Sequence, residues 1–141
     1  MSRVYWDTML FVYMIEDHPQ YAGRVQEIFE KMRVRGDRLC TSAFTLAEIL
    51  VGPRKRRAEA AIEYIHDFFR GPEIELLSFT ADAAETYAEI RADDRVSAAD
   101  AIHLASAARY GTDLFLTNDQ RLRGLVIPGI HFIAGMEAEL L

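Results

Sequence analysis

Val4-Tyr5-Trp6-Asp7-Thr8-Met9-Leu10-Phe11-Val12-Tyr13 is the stretch that decides the fold of this chain. Three β-prone residues stop at an acid, and an apolar run follows at once. A short strand leading directly into a helix opens an α/β unit. The pattern repeats downstream. Pro19 opens a helical stretch with Val25, Ile28, Phe29 and Met32 at spacings of three and four. Gly36-Asp37 is a turn, and Leu39-Cys40-Thr41 a second strand. Ser42 caps a helix carrying Phe44, Ala47 and Val51, which Gly52-Pro53 ends. Ala58 to Phe69 is helical, with Ile62, Ile65 and Phe69 at helical spacing, and Gly71-Pro72 stops it. Ile74 to Leu77 reads as a third strand. Thr80 caps a helix to about Ala92, and Ser97 an Ala-rich helix ending at Tyr110-Gly111. Leu114-Phe115-Leu116 is a fourth strand, and Ile130 to Ile133 a fifth after Pro128-Gly129.

Short strands alternating with long helices predict an α/β fold with a mostly parallel sheet of about five strands. The 141 residues suit one domain, 1–141, with no repeat or linker. Half the residues are apolar, which excludes a disordered chain. The net charge of −6 excludes a broadly basic nucleic-acid binder. That total hides an asymmetry: residues 33–57 sum to +5 and residues 73–100 to −6. The single cysteine, Cys40, excludes an intramolecular disulfide and is expected as a small buried residue. The longest apolar stretch ends at Glu16, far short of a membrane span, so a cytoplasmic location is expected.

In parallel sheets ligands bind beyond the carboxyl ends of the strands. Four acids fall there or on the helices that follow. Asp7 ends the first strand, though an Asp there also serves as a helix N-cap. Glu48 is spaced one turn from Phe44 and nearly one from Val51, on a face that reads as core. A buried carboxylate needs a partner cation, a metal or an edge position. Asp100 stands three residues after Ser97, as in a capping box. Asp119 follows the fourth strand in Thr117-Asn118-Asp119, where a turn or cap role is equally natural. Together the four offer only oxygen, with no His or Cys at metal spacing. That donor set suits Mg²⁺ or Mn²⁺ rather than zinc and points to metal-assisted phosphodiester hydrolysis.

The same four segments resemble the PIN-domain family, and within it the VapC-type toxin ribonucleases. Tyr5-Trp6-Asp7-Thr8 is similar to the family's opening strand and first acid, and Thr45-Leu46-Ala47-Glu48-Ile49 to its helical Glu segment. Ala99-Asp100-Ala101-Ile102-His103-Leu104-Ala105 is similar to its third acidic motif. Leu116-Thr117-Asn118-Asp119-Gln120-Arg121-Leu122 is similar to its fourth. Met9 departs from the pattern, where Asn or Ser is frequent. The resemblance implies a three-layer α/β/α fold and an acidic pocket of Asp7, Glu48, Asp100 and Asp119 holding Mg²⁺ or Mn²⁺. It implies endonucleolytic RNA cleavage by a metal-activated water, a homodimer and a VapB-type antitoxin partner. Thr8 and Thr117 are expected to hydrogen-bond the ligand carboxylates.

Arg54-Lys55-Arg56-Arg57 is read as an RNA-contacting rim or as a solvated face. Tyr13, Tyr64 and Phe69 read as core, and His103 as satisfied structure. Other readings stay open. They are a PIN nuclease of RNA processing without an antitoxin and a catalytically silent PIN-like interaction module. A haloacid-dehalogenase-type phosphotransferase would want an Asp where Met9 stands, and a flavodoxin-like module a phosphate loop where Thr8-Met9-Leu10-Phe11 stands.

Overall fold

Val4 and Trp6 enter one buried cluster and Tyr5 the other, the period-two alternation of a strand. All three are fully buried, so β1 (Arg3–Trp6) is covered on both faces and reads as an unbroken apolar run. The computed structural model describes residues 1–138; residues 139–141 of the expected domain lie outside the described residues. Four further strands join β1: β2 (Arg38–Ser42), β3 (Ile74–Leu77), β4 (Thr112–Leu116) and β5 (Ile130–Ala134). The order is β3-β2-β1-β4-β5, and every pairing is parallel.

Helices α1 (Thr8–Ile15), α2 (Ala22–Arg35), α3 (Ala43–Lys55) and α4 (Glu59–Arg70) pack on the face of Val4 and Trp6. Helices α5 (Ala81–Arg91) and α6 (Ala98–Tyr110) pack on the face of Tyr5, Cys40 and Phe115. The result is three layers, α/β/α. The first core centres on Phe11, whose ring lies 5.1 Å from both Trp6 and Phe69. In the second, Tyr5 stacks on Phe115 at 4.9 Å. Each such pair contributes about 0.5–1.5 kcal/mol beyond its buried area. The small residues of α6 do what their size predicts: Ala101, Ala105 and Ala107 are fully buried and let the helix lie close on the sheet.

The strand order reverses at β1. The chain steps outward through β2 and β3, then returns on the other side of β1 as β4. The crevice between the carboxyl ends of β1 and β4 is the topological switch point where such sheets bind ligands.

Some local expectations need correction. The helix after Pro19 begins at Ala22, because the His18 ring nitrogen accepts the Gln20 and Tyr21 N–H groups and holds a turn. Gly52-Pro53 does not end α3, which runs on to Lys55. The Pro53 ring is buried, and the ladder resumes past it through Arg56 N–H to Gly52 O and Ala58 N–H to Pro53 O. Burial of the ring thus offsets the missing donor. The buried face of α3 is Thr45, Ile49 and Pro53, so Val51 is exposed and Phe44 only half-buried. Tyr64 is also exposed and not core.

Gly129 enters β5 at φ +100°, and a Cβ there would sit 2.5 Å from the Ala108 carbonyl oxygen at the end of α6. Gly129→Ala is expected to destabilise the fold by about 1–3 kcal/mol, the scale of one strained backbone position. Urea denaturation of the variant against wild type measures it.

Candidate active site

Asp7 follows β1 and its side chain caps α1, with Oδ1 accepting the Thr8 N–H at 2.7 Å. The other oxygen, Oδ2, accepts the Thr117 hydroxyl at 2.7 Å. Capping and site placement are therefore one geometry and not alternatives. Asp7 is buried, and burial pushes its carboxyl above the usual carboxylate range. The His103 ring and the two hydrogen bonds oppose that shift, while Asp100 adds to it. Such a carboxylate is suited to a nearby cation.

Glu48 sits at the edge of α3, with its side chain 32 % exposed. Its Oε1 accepts the Thr8 hydroxyl at 2.6 Å and faces His103 Nε2 at 2.8 Å. Burial raises its carboxyl, but the bonds from His103 and Thr8 together outweigh burial and hold it below the usual range. Glu48 is thus ionised, and its Oε2 makes no protein hydrogen bond among the described residues. The buried-acid problem is solved by an edge position and a histidine.

His103 is the residue that sequence reasoning set aside. It is buried on α6 between three elements. Its Nδ1 lies 2.7 Å from the Tyr5 hydroxyl, which accepts the Ser42 N–H at 3.2 Å. Ionised Glu48 can only accept, so Nε2 donates to it, while Nδ1 meets the Tyr5 hydroxyl. The signal lay in the spacing: three residues after Asp100 on one helix puts both side chains toward the same side. Tyr13 is a second such residue. It is core as expected, yet its hydroxyl accepts the Asn118 amide at 3.0 Å at the cleft.

Asp100 opens α6, where Ser97 accepts its N–H at 3.2 Å. Its carboxylate accepts no hydrogen bond among the described residues, so only half of the expected capping box forms. Asp119 caps the short 3-10 turn Gln120–Leu122 and is paired with Arg121 at 2.6 Å. Arg121, first of all through its hydrogen bond, holds the Asp119 carboxyl below its usual range. Asp7, Glu48, Asp100 and Asp119 line one open cleft of about 450 Å³ with Thr8, Met9, His103 and Arg121. The cleft lies at the switch point. Arg54, Lys55, Arg56 and Arg57 are exposed at the far end of α3 and do not line it.

The family model of the PIN domain matches residues 4–126. The chain belongs to the PIN domain family. Similar solved structures include a DNA-bound VapBC from Salmonella typhimurium, with 26% identity and a TM-score of 0.75 over 96% of this chain and 99% of that one. VapBC2 from Rickettsia felis, bound to a promoter fragment, gives 20% identity and 0.75 over 94% and 98%. VapC20 of Mycobacterium tuberculosis, a Sarcin-Ricin loop cleaving toxin, gives 20% and 0.69 over 87% and 96%. A search of curated proteins found no match.

The donors of this PIN domain fit a hard divalent cation. They are all oxygen, and the Asp100 carboxylate and one Glu48 oxygen have no protein partner among the described residues. Among the described residues no three His, Cys, Asp or Glu side chains converge tightly enough to enclose an ion. Mg²⁺ tolerates that, because it keeps several waters and takes one or two carboxylates plus substrate phosphate.

The raised Asp7 carboxyl has a signed consequence. Its folded value lies above the unfolded one, so its stabilising contribution is complete below about pH 3.9, the ordinary Asp value, and is lost as pH rises through the folded value. Asp7→Asn keeps the cap without the charge. In chelator, the stability difference between the two proteins is expected to move in favour of Asn as pH rises from acid to neutral, read by denaturant midpoints.

Proposed function

We propose that this PIN domain is a metal-dependent endoribonuclease and the toxin partner of an antitoxin protein. The observation that carries the reading is the acidic cleft, which draws Asp7, Glu48, Asp100 and Asp119 from four distant segments. Fold alone would not carry it, because one fold hosts many activities.

Asp7, Asp100 and Glu48 would hold the ion, Mg²⁺ or Mn²⁺. When bound, such an ion lowers the pKa of water and neutralises phosphate charge. The chain supplies the rest. Thr117 and the Thr8 N–H fix both oxygens of Asp7. Thr8 and His103 hold one oxygen of Glu48 and leave the other without a protein partner among the described residues. These hydrogen bonds orient the carboxylates as outer partners orient ligands in other metal sites.

The antitoxin belongs to the same reading. Met9, Val51 and Tyr64 are exposed on α1, α3 and α4, and Leu46, Leu50 and Phe68 are half-buried there. Exposed apolar side chains on these helices suit contact with an amphipathic segment of a partner. The VapBC complexes among the structural neighbours support it. The homodimer carries over from the family resemblance.

Wild type is expected to cleave RNA with Mn²⁺ and to stop in chelator. Asp7→Asn, Asp100→Asn and Glu48→Gln should fold and lose activity by at least about 100-fold, the scale of one lost electrostatic contact in a transition state. A gel assay with circular dichroism checks both. Full chelator-sensitive cleavage by Asp100→Asn would remove that residue from the site; no cleavage by wild type would leave an interaction module. Replacing Arg54, Lys55, Arg56 and Arg57 by Ala should weaken RNA binding and flatten its salt dependence, as read by fluorescence anisotropy across a salt series.

A further inference from the structure

Asp119 differs from the other three carboxylates of the cleft. Both of its oxygens are taken by one residue. Arg121 gives its Nε–H to Oδ1 at 3.0 Å and an Nη2–H to Oδ2 at 2.6 Å. Oδ1 also accepts the Arg121 backbone N–H at 3.0 Å. The turn beneath is fixed as well, because Thr117 Oγ1 accepts the Asp119 N–H at 3.0 Å. The same hydroxyl donates to Asp7. To bind an ion, Asp119 would have to give up a two-point pair with a guanidinium.

The pairing is side-on. It uses the Nε and Nη2 edge of the guanidinium and leaves Nη1 with no acceptor among the described residues. The Arg121 side chain is 76 % exposed and lines the cleft with Asp7, Glu48 and Asp100. A planar fork with one edge anchored and the other free is a geometry that accepts phosphate oxygens. The chain contains its own control. Asp93 and Arg95 form the same two-residue pair, with Nε at 3.0 Å and Nη2 at 2.7 Å, away from the acidic cleft. The pairing is therefore a local turn habit, and what sets Arg121 apart is its place at the cleft.

We propose that Arg121 anchors a backbone phosphate of the RNA in the cleft, that Asp119 aims it, and that Asp119 is not a metal ligand. The proposal rests on the ribonuclease reading above. It assigns the fourth acid of the cleft to substrate and leaves the ion to Asp7, Glu48 and Asp100.

The test uses the full chain and two readouts. Mn²⁺ binding is followed by electron paramagnetic resonance of the free ion. RNA binding is followed by anisotropy of a labelled mixed-sequence single-stranded RNA with Ca²⁺ as the ion. Arg121→Ala should bind RNA about tenfold or more weakly, the scale of one charge-assisted hydrogen bond, with Mn²⁺ binding kept. Asp119→Asn should act the same way, and the double variant should be no worse than either single one. Arg121→Lys keeps the charge without the fork and should recover only part. Arg95→Ala should match wild type in both readouts. Loss of Mn²⁺ binding in Asp119→Asn, or wild-type RNA binding by Arg121→Ala, would overturn the proposal. A wild-type protein that binds neither Mn²⁺ nor RNA would overturn the ribonuclease reading itself, and this assignment with it.

Discussion

The site depends on one register. Trp6 pairs with Leu116 across two parallel strands at the middle of the sheet, and the Asp7 N–H reaches the Leu116 carbonyl at 3.0 Å. The next residues on the two strands, Asp7 and Thr117, are then neighbours, and their side chains meet at 2.7 Å. A one-residue slip would turn every side chain of β1 to the opposite layer. Trp6 and Tyr5, both fully buried in different cores, forbid it. Core packing thus sets the position of a carboxylate that takes no part in the core. Thr117 carries the constraint one step further, since its hydroxyl also accepts the Asp119 N–H.

A second network ties the helices to that strand end. His103 joins Tyr5 of β1, Thr8 of α1 and Glu48 of α3, while Ser42 at the head of α3 closes the chain on Tyr5. Burial drives the Tyr5 hydroxyl far above its ordinary range, so it stays a neutral donor. A buried polar chain is stable only when every member is satisfied. Each hydrogen bond here has a partner on a different element, which makes the network a gauge of whether four elements are docked correctly. Thr8 serves both networks, through its N–H to Asp7 and its hydroxyl to Glu48. The threonine after the first acid is therefore as constrained as the acid.

The alternation of strands and helices was legible because each strand is a short β-prone run between turn residues, and Ser42, Thr80 and Ser97 are true caps. The four acids were legible because Asp7 and Asp119 follow strands, Asp100 opens α6 and Glu48 lies on the helix that follows β2. What escaped was decided by long-range packing. Pro53 reads as a stop, but its ring is buried and α3 continues through it. Phe44 and Val51 read as core, but α3 turns Thr45, Ile49 and Pro53 inward, and Glu48 lies at the edge. His103 has no local signature of its partners, because Tyr5 and Glu48 are 98 and 55 residues away. The Arg121 pair is only two residues wide, yet its meaning depends on a cleft built from the whole chain.

Charge is where these pieces meet. The net of −6 speaks against a protein that attracts RNA over a broad surface. Within the cleft, Asp119 is neutralised by Arg121, so Asp7, Glu48 and Asp100 are the carboxylates left to a cation. On the proposed reading, one divalent ion does not cancel three such charges, and an anionic backbone entering beside it still meets residual repulsion. Asp119 already balances the charge of Arg121, so what the guanidinium offers an entering phosphate is its free hydrogen-bonding edge at the cleft rather than a surplus charge. The exposed basic end of α3 lies farther along the same helix as Glu48 and does not line the cleft. On the proposed reading attraction is conditional: without the ion the cleft would repel RNA, and with it the guanidinium edge would complete a site for one phosphate. An acidic protein can in this way be selective for RNA at a single point without binding it everywhere else.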